Sequence, residues 1–170
     1  MIVFEEKLRE LIALMPSNIN ANGEFPIRYD WGTIDVLNKF LILKENVSKY
    51  PLIWLVTSKD TDDLLRNRVT RNARLVIATR SNDVDGFNKK QYQTDYTNIL
   101  IPVYNDFITL LNSSGVSKIV NSKVEKELKP NYSINDNGKG LVTIWNAIVL
   151  DLEIELTDNC INKDIKWLKR

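Results

Sequence analysis

The sequence predicts an α+β domain in which a mainly antiparallel sheet packs against an N-terminal helix and a longer central helix. Three observations lead to this fold class. Two segments have the apolar spacing of amphipathic helices, several segments between them have strand patterns, and a strictly alternating segment lies near the C-terminus. The 170 residues suit one domain with a sizeable core, so we expect a single domain over residues 1–170 with a charged tail from about residue 159.

Each helical segment has one apolar face and a clear end. The first is predicted over about residues 2–15, before Pro16, with a face formed by Phe4, Leu8, Leu11, Ile12 and Met15. The second is predicted over about residues 91–114, before Gly115, with a stripe formed by Tyr96, Ile99, Leu100, Val103, Phe107, Leu110 and Leu111. Pro102 lies inside this stripe and indicates either a kink or a helix that begins there.

The segments between the two helices have mostly strand patterns. "EFPIRYDWG" alternates apolar and polar residues from Phe25, and "YPLIWLVTS" has the unbroken apolar run of a central strand buried on both faces. "VLNKFLILKE" suits either a strand or a helix. "RNRVTRNARLVIATRS" predicts a long strand over residues 66–81 with one basic side and one apolar side, the apolar side interrupted by Arg71. Residues 116–140 are polar and lysine-rich, and "INDNGKG" within them predicts a turn.

A row of carboxylates lines one side of the C-terminal strand. In "GLVTIWNAIVLDLEIELTDNC" the apolar residues from Ile148 to Leu156 alternate with an acidic row formed by Asp151, Glu153 and Glu155. Such a row suits a Mg²⁺ or Ca²⁺ site, a solvated strand face, or a surface that meets complementary charge. Neighbouring carboxylates on one strand face lie ~6–7 Å apart, and no phosphate-binding loop accompanies them, so the metal site is the least favoured of the three.

An arginine row lies in the predicted long strand. Five arginines fall within fifteen residues that contain no acid, namely Arg66, Arg68, Arg71, Arg74 and Arg80. Arginine pairs bidentately with phosphate, so the row suits a nucleic-acid backbone, although a solvated face is an equally good reading. A third interpretation joins both rows: the acidic row of one copy meets the arginine row of a second copy, head to tail, and the contact closes into a ring.

The composition argues against several classes of function. The chain has no histidine, which removes the usual general base near neutral pH and the commonest metal ligand, so we expect no enzyme activity, no metal and no cofactor. Its net charge of +1 does not imply a general affinity for nucleic acid or membranes. A single cysteine, no signal-peptide pattern and no long apolar run indicate a soluble protein made in a reducing cytoplasm.

From Gln91 onward the sequence resembles the tail completion or tail terminator proteins of tailed bacteriophages and prophages. The phrase "YQTDYTNILIPVYNDFITLLNSSG" matches their Tyr-x-x-x-Leu-x-Pro-hydrophobic-Tyr pattern through Tyr96, Leu100, Pro102, Val103 and Tyr104, continuing into Phe107 and Leu110. "NAIVLDLEIELTDNC" matches their closing strand of the form D-x-I-x-L. The order of helices and strands over most of the chain is also similar.

The resemblance implies a structural virion protein that forms a homo-oligomeric ring at the head–tail junction. Such a ring caps the tail tube or joins it to the portal or connector, and double-stranded DNA passes through it. In such a ring the arginine row either meets the acidic row of a neighbouring subunit or lines the channel and tracks the DNA, with the acidic row outside in solvent. The resemblance also implies assembly in the bacterial cytoplasm, a final location in the neck or tail of the virion, and no catalytic residue. The alternative from another class is a small intracellular nucleic-acid-associated binding module that uses the arginine row, and a carboxylate–metal nuclease is third.

The absence of histidine and of a convergent ligand set generates a first prediction. We expect millimolar Mg²⁺ or Mn²⁺ to leave the melting temperature unchanged, because a ligand stabilises a fold only when it binds the folded state. Differential scanning fluorimetry with and without the metal measures this. A rise of several degrees that Asp151→Asn abolishes would contradict it.

Overall fold

The computed structural model describes residues 2–20, 23–42, 50–81, 88–132 and 145–167. Within these ranges the helices are α1 (Phe4–Ile12), α2 (Ile34–Ile42) and a long central helix α3, whose 25 residues run from Lys89 to Ser113. The strands are β1 (Asn18–Asn20), β2 (Gly23–Phe25), β3 (Arg28–Gly32), β4 (Leu52–Val56), β5 (Asp60–Asp63), β6 (Arg68–Arg80), β7 (Ser117–Lys129) and β8 (Trp145–Thr157).

Six of the strands form one mixed sheet, which confirms the predicted α+β class. The order is β3-β4-β6-β8-β7, and β5 pairs with the part of β6 that β4 leaves open. All neighbours are antiparallel except β3 and β4. β6 and β8 pair along their whole length, from Arg68 opposite Thr157 to Arg80 opposite Trp145. These two long strands form the centre of the sheet.

The first face of the sheet is covered by α1 and α3. The alternation of β8 places Ile148, Leu150, Leu152, Ile154 and Leu156 on this face, all buried as the sequence predicts. They join one core with the buried face of α1 and the apolar stripe of α3. The predicted tail also contributes to this core, because Ile165 is buried in it and Trp167 packs against it.

The second face of the sheet is covered over only part of its length. At the Trp145 end of β8, a smaller core contains Leu37 and Leu41 of α2 together with Trp54, Val76 and Trp145. Toward the other end, Arg68 and Arg74 of β6 and the three carboxylates of the acidic row on β8 lie on this face. The second face is therefore apolar at one end and charged at the other.

Helix α3 contains Pro102, and the helical turns that precede this proline are wider than those of a regular α-helix. Residues Tyr92–Leu100 have π-helical hydrogen bonding, and the amide of Ile101 donates to the carbonyl of Tyr96, five residues earlier. A proline in a regular α-helix lacks a donor and its ring clashes with the carbonyl four residues earlier, so the wider turn accommodates it. Of the two alternatives that Pro102 left open, a kink or a helix start, the second holds in part: the regular α-helical turns begin at Ile101 with Pro102 in the first turn, but they continue the π-helical segment without a gap.

The family-motif residues are mostly core residues of α3. The side chains of Tyr96, Leu100, Val103, Phe107 and Leu110 are fully buried, whereas Pro102 and Tyr104 are half-buried. The Tyr96 hydroxyl donates a hydrogen bond of 3.3 Å to the carbonyl oxygen of Ala147 in β8, and burial raises the pKa of this phenol. The motif thus fixes the position of α3 against the sheet.

Several predicted boundaries and elements differ from the structure. The ambiguous segment after Gly32 is helix α2 as far as Ile42, and the long basic strand begins at Arg68 instead of residue 66. The polar, lysine-rich segment after residue 116 contains a full strand, β7, which the sequence analysis missed because its alternation is hidden by charge on both sides. The predicted turn "INDNGKG" lies outside the described residues.

The buried stripe of α3 generates a second prediction. We expect Phe107→Ala to lower the free energy of unfolding by about 3–5 kcal/mol, because truncating a packed aromatic side chain removes burial and leaves a cavity. The matched control is Asn112→Ala, which changes an exposed residue of the same helix and is expected to have an effect within about 0.5 kcal/mol. Urea denaturation followed by tryptophan fluorescence measures both, and similar small losses would show that the stripe is not packed.

Candidate subunit interface

The register of β6 and β8 brings the two charged rows side by side within one chain. Arg74 lies directly opposite Asp151, and its guanidinium donates two hydrogen bonds of 2.8 Å to the two carboxylate oxygens. The next pair is diagonal: Nη1 of Arg68 donates to Oε1 of Glu155 at 2.9 Å. Hydrogen bonding to Asp151 is also the main cause that raises the pKa of Arg74. Two of the three row carboxylates are therefore neutralised by the neighbouring strand.

These contacts change the interpretation of the rows. The sequence suggested that the rows pair between two copies, whereas Arg74 with Asp151 and Arg68 with Glu155 are pairs within one chain. The pair of Arg74 with Asp151 is solvent-exposed and that of Arg68 with Glu155 is partly so, and exposed pairs contribute about 0–1 kcal/mol to stability. The larger effect is on the surface, which has little net charge where the rows meet. Whether it lies at a subunit interface stays a prediction.

Arg71 does not belong to the exposed row, which corrects its assignment as an interface or DNA-channel residue. It projects to the first face and is only 3% exposed. Its guanidinium contacts both oxygens of Asp60 in β5, lies 2.7 Å from Oε1 of Glu5 in α1, and stacks with Cζ 4.3 Å from the centre of the Phe4 ring. Burial lowers its pKa, but the two carboxylates raise it by more, so it remains charged. Arg71 therefore clamps α1 and β5 onto β6.

The remaining arginines lie at the two ends of β6. Arg66 is in the turn between β5 and β6, is largely exposed, and has its Nε 3.8 Å from Oδ2 of Asp63. Arg80 is exposed at the opposite end of the strand. The five arginines consequently do not form one continuous basic surface. The three that lie between Arg66 and Arg80 each pair with a carboxylate: Arg68, Arg71 and Arg74.

The turn between β5 and β6, residues 64–67, presents two leucines to solvent; we call this turn the tip. Leu64 is 86% exposed and Leu65 is 98% exposed, more than any other large apolar side chain in the described part of the chain. The tip is tied at both sides, since the Arg66 amide donates to Oδ1 of Asp63 at 3.2 Å and Nδ2 of Asn67 donates to Oδ2 of Asp158 at 3.0 Å. The sequence analysis did not identify it, although two adjacent leucines flanked by Asp-Asp and Arg-Asn are a recognisable signal.

A depression of about 310 Å³ lies on the second face beside Glu153. The register of β7 skips from Ile119 opposite Ile154 to Val124 opposite Leu152, so a four-residue bulge lies where Glu153 would have a partner. On its other side Glu153 faces the short side chain of Asn72. The space that this leaves is the depression, whose lining includes Asn72, Val120, Lys123, Glu125, Asp151 and Glu153.

The pairing of β6 on its other edge is also interrupted opposite Asn72, between the parts that pair with β4 and with β5. Residues 57–59 separate β4 from β5, and the Ser58 hydroxyl donates a hydrogen bond of 3.0 Å to the carbonyl of Asn72. Bulges increase the local twist of a sheet. Glu153, the carboxylate of the acidic row that neither Arg68 nor Arg74 contacts, therefore lies where the strands on both outer sides of β6 and β8 are interrupted.

The described residues contain neither a group of metal-ligating side chains nor a membrane-spanning helix. No group of three or more His, Cys, Asp or Glu side chains in the described ranges is placed to hold a metal ion. No helix in the part of the chain that the structure describes is long and apolar enough to cross a membrane.

Comparisons with models of known protein families and with curated protein sequences found no match for the chain.

The contrast between Arg71 and Arg74 generates a third prediction. We expect Arg71→Met to cost about 3–5 kcal/mol, because it leaves Asp60 and Glu5 beside each other without their shared cation. Arg74→Met is the matched control on the same strand and is expected to cost about 0–1 kcal/mol. Urea denaturation measures both, and Arg71→Met combined with Glu5→Gln and Asp60→Asn should recover part of the loss. A loss for Arg71→Met no larger than that for Arg74→Met would contradict the clamp.

Proposed function

We propose that the protein is a structural subunit that assembles with copies of itself into a ring at the head–tail junction of a tailed bacteriophage or prophage. In this proposal it acts as a tail terminator, tail completion or neck connector protein, and double-stranded DNA passes through the ring. Its further partners are tail-tube and portal or connector proteins, and it has no enzymatic activity or cofactor. The resemblance in residues 91–114 and 146–160 supports the phage assignment, and the tip supports the assembly.

The single observation that carries self-assembly is the exposure of Leu64 and Leu65 at the tip. Fully burying a leucine side chain is worth about 1.5–3 kcal/mol relative to leaving it in water. An isolated subunit gains nothing from two leucines on a turn that other residues hold in place, whereas a subunit that buries them against a neighbour gains at every contact. Repeated around a ring, this small apolar contact becomes substantial.

The charge distribution supports close approach between copies. The net charge is +1, and the ion pairs of Arg74 with Asp151 and of Arg68 with Glu155 neutralise much of the charged half of the second face. Copies of a strongly charged chain would repel one another on assembly. A protruding tip and a recessed surface on the same chain form a heterologous contact, and such contacts close into rings when the rotation permits.

The alternative function, a nucleic-acid-associated binding module, has less support. It needs arginines that are free to meet phosphates along one surface. Arg68 and Arg74 instead bind carboxylates of β8, and Arg71 is buried on the other face. In the proposed ring DNA passes through the channel, and Arg80, exposed at the end of β6, is the arginine of the row that can contact it.

The proposal generates a fourth prediction. We expect the purified protein to form a discrete oligomer in mass photometry and ring-shaped particles in negative-stain electron microscopy, alone or with the products of neighbouring genes. Leu64→Ser with Leu65→Ser should reduce the oligomer and leave the melting temperature of the dilute, monomeric subunit unchanged, because the two side chains are 86% and 98% exposed within one chain.

The control is Val36→Ser, which changes an exposed apolar residue on α2, far from the tip in sequence. A protein that stays monomeric at all concentrations and in all these mixtures would overturn the proposal. Neighbouring genes that encode no capsid, portal or tail-tube protein would argue against the assignment to the neck.

A further inference from the structure

We infer that the tip of one subunit docks into the depression beside Glu153 of a second copy of the same chain. This inference rests on the proposed self-assembly and names the two surfaces that meet. Arg66 of the tip pairs with Glu153, and Leu65 packs against the wall that contains Val120.

The lining of the depression is acidic, whereas the tip, residues 64–67, contains one charged residue, Arg66, which follows the carboxylates of Asp62 and Asp63 in the chain. Its lining includes the carboxylates of Glu125, Asp151 and Glu153 and one cation, Lys123. Arg74 neutralises Asp151, and Lys123 offsets one of the two remaining carboxylates, so one negative charge is left over. Glu153 lies opposite Asn72, whereas the other two carboxylates of the acidic row each contact an arginine. The tip carries Arg66, whose nearest carboxylate, Asp63, is 3.8 Å away.

The size and lining of the depression suit side chains. At about 310 Å³ it is at the lower end of the roughly 300–1,000 Å³ of ligand pockets, so it holds one or two side chains more readily than a cofactor. Val120 supplies apolar surface, and the aliphatic parts of Lys123, Glu125 and Glu153 extend it. A leucine beside an arginine matches this mixture of apolar wall and acidic rim.

The occupant is the tip of a second copy, because Arg66 and Leu65 match the acidic and apolar parts of the lining and the tip cannot reach the depression of its own chain. Arg66 and Asn72 are six residues apart, about 20 Å at the ~3.3 Å rise of a strand. The intervening residues are fixed by the pairing of β6 with β8 and by the ion pair of Arg68 with Glu155. Each chain therefore offers one tip and one depression, and copies join head to tail.

Charge reversal tests the contact. We expect Glu153→Arg and Arg66→Glu each to lower the assembled fraction in mass photometry by about tenfold or more, since like charges then meet in a partly desolvated contact. A chain that carries both changes is complementary to itself again and should recover most of the assembly. The matched control is Glu127→Arg, which reverses an exposed carboxylate of β7 outside the lining and should assemble normally.

Because Glu153→Arg adds a cation near Arg68 and Arg74, melting temperatures are measured for every variant. Leu65→Asp is the second variant, since a residue 98% exposed cannot contribute packing to the isolated fold. It should prevent assembly while its melting temperature equals that of the unchanged protein at concentrations where both are monomeric. Normal assembly of Leu65→Asp, or of Arg66→Glu with a normal melting temperature, would overturn the inference.

Disulfide trapping tests the contact without requiring a ring. In a Cys160→Ser background, which removes the exposed native cysteine, Leu65→Cys combined with Lys123→Cys should give a ladder of oxidised multimers. Leu65→Cys combined with Asn112→Cys, on the helix that covers the opposite face, should not. The absence of a ladder from the first pair would overturn the inference.

The outcomes separate the inference from the proposed function. A ring that forms normally with the charge-reversed tip and gives no ladder overturns the inference and leaves the ring intact. A ladder of open chains that never closes supports the inference and overturns the ring. A protein that neither assembles nor cross-links overturns both.

Discussion

The pairing of β6 with β8 is the constraint on which the rest of the structure depends. Their antiparallel register, from Arg68 opposite Thr157 to Arg80 opposite Trp145, assigns every side chain of both strands to one face. A slip of one residue would move the apolar set of β8 into solvent and the acidic row into the core that α1 and α3 complete. The same register places Arg74 opposite Asp151, so the apolar core and the surface ion pairs favour the same alignment.

The sequence shows which residues of each strand share a face, but it does not show which strands lie side by side. A period of two in β8 is enough to predict that Ile148 to Leu156 are buried, and the helical period is enough to predict the stripe of α3. Neither period says which strand lies beside which. The arginines of β6 and the carboxylates of β8 are separated by about eighty residues of chain, so their pairing within one subunit and a pairing between two copies were equally consistent with the sequence.

Elements whose stability comes from tertiary contacts were the ones missed. β7 has lysines and glutamates on both sides, and it is a strand because β8 provides its hydrogen bonds on one edge. β5 is too short and acidic to predict, yet Asp60 in it holds Arg71, which explains why an arginine interrupts the apolar side of β6. The depression depends on a bulge opposite Glu153, and the position of a bulge follows from the register of two strands, which no pattern in a single strand encodes.

The internal ion pairs and the proposed contact between copies are parts of one arrangement. If all three carboxylates of the acidic row were unpaired, two copies would approach through a strong field and the contact would depend heavily on salt. Pairing Asp151 and Glu155 within the chain leaves Glu153 as the acid that a second copy can use, in a place where two interrupted strands make room for it. Tip and depression both belong to the paired strands β5, β6, β8 and β7, so the angle between them is set by the twist of one sheet. In the proposed ring, that angle would determine how many copies close the circle, and the bulge in β7 would affect both the angle, through the local twist of the sheet, and the proposed contact.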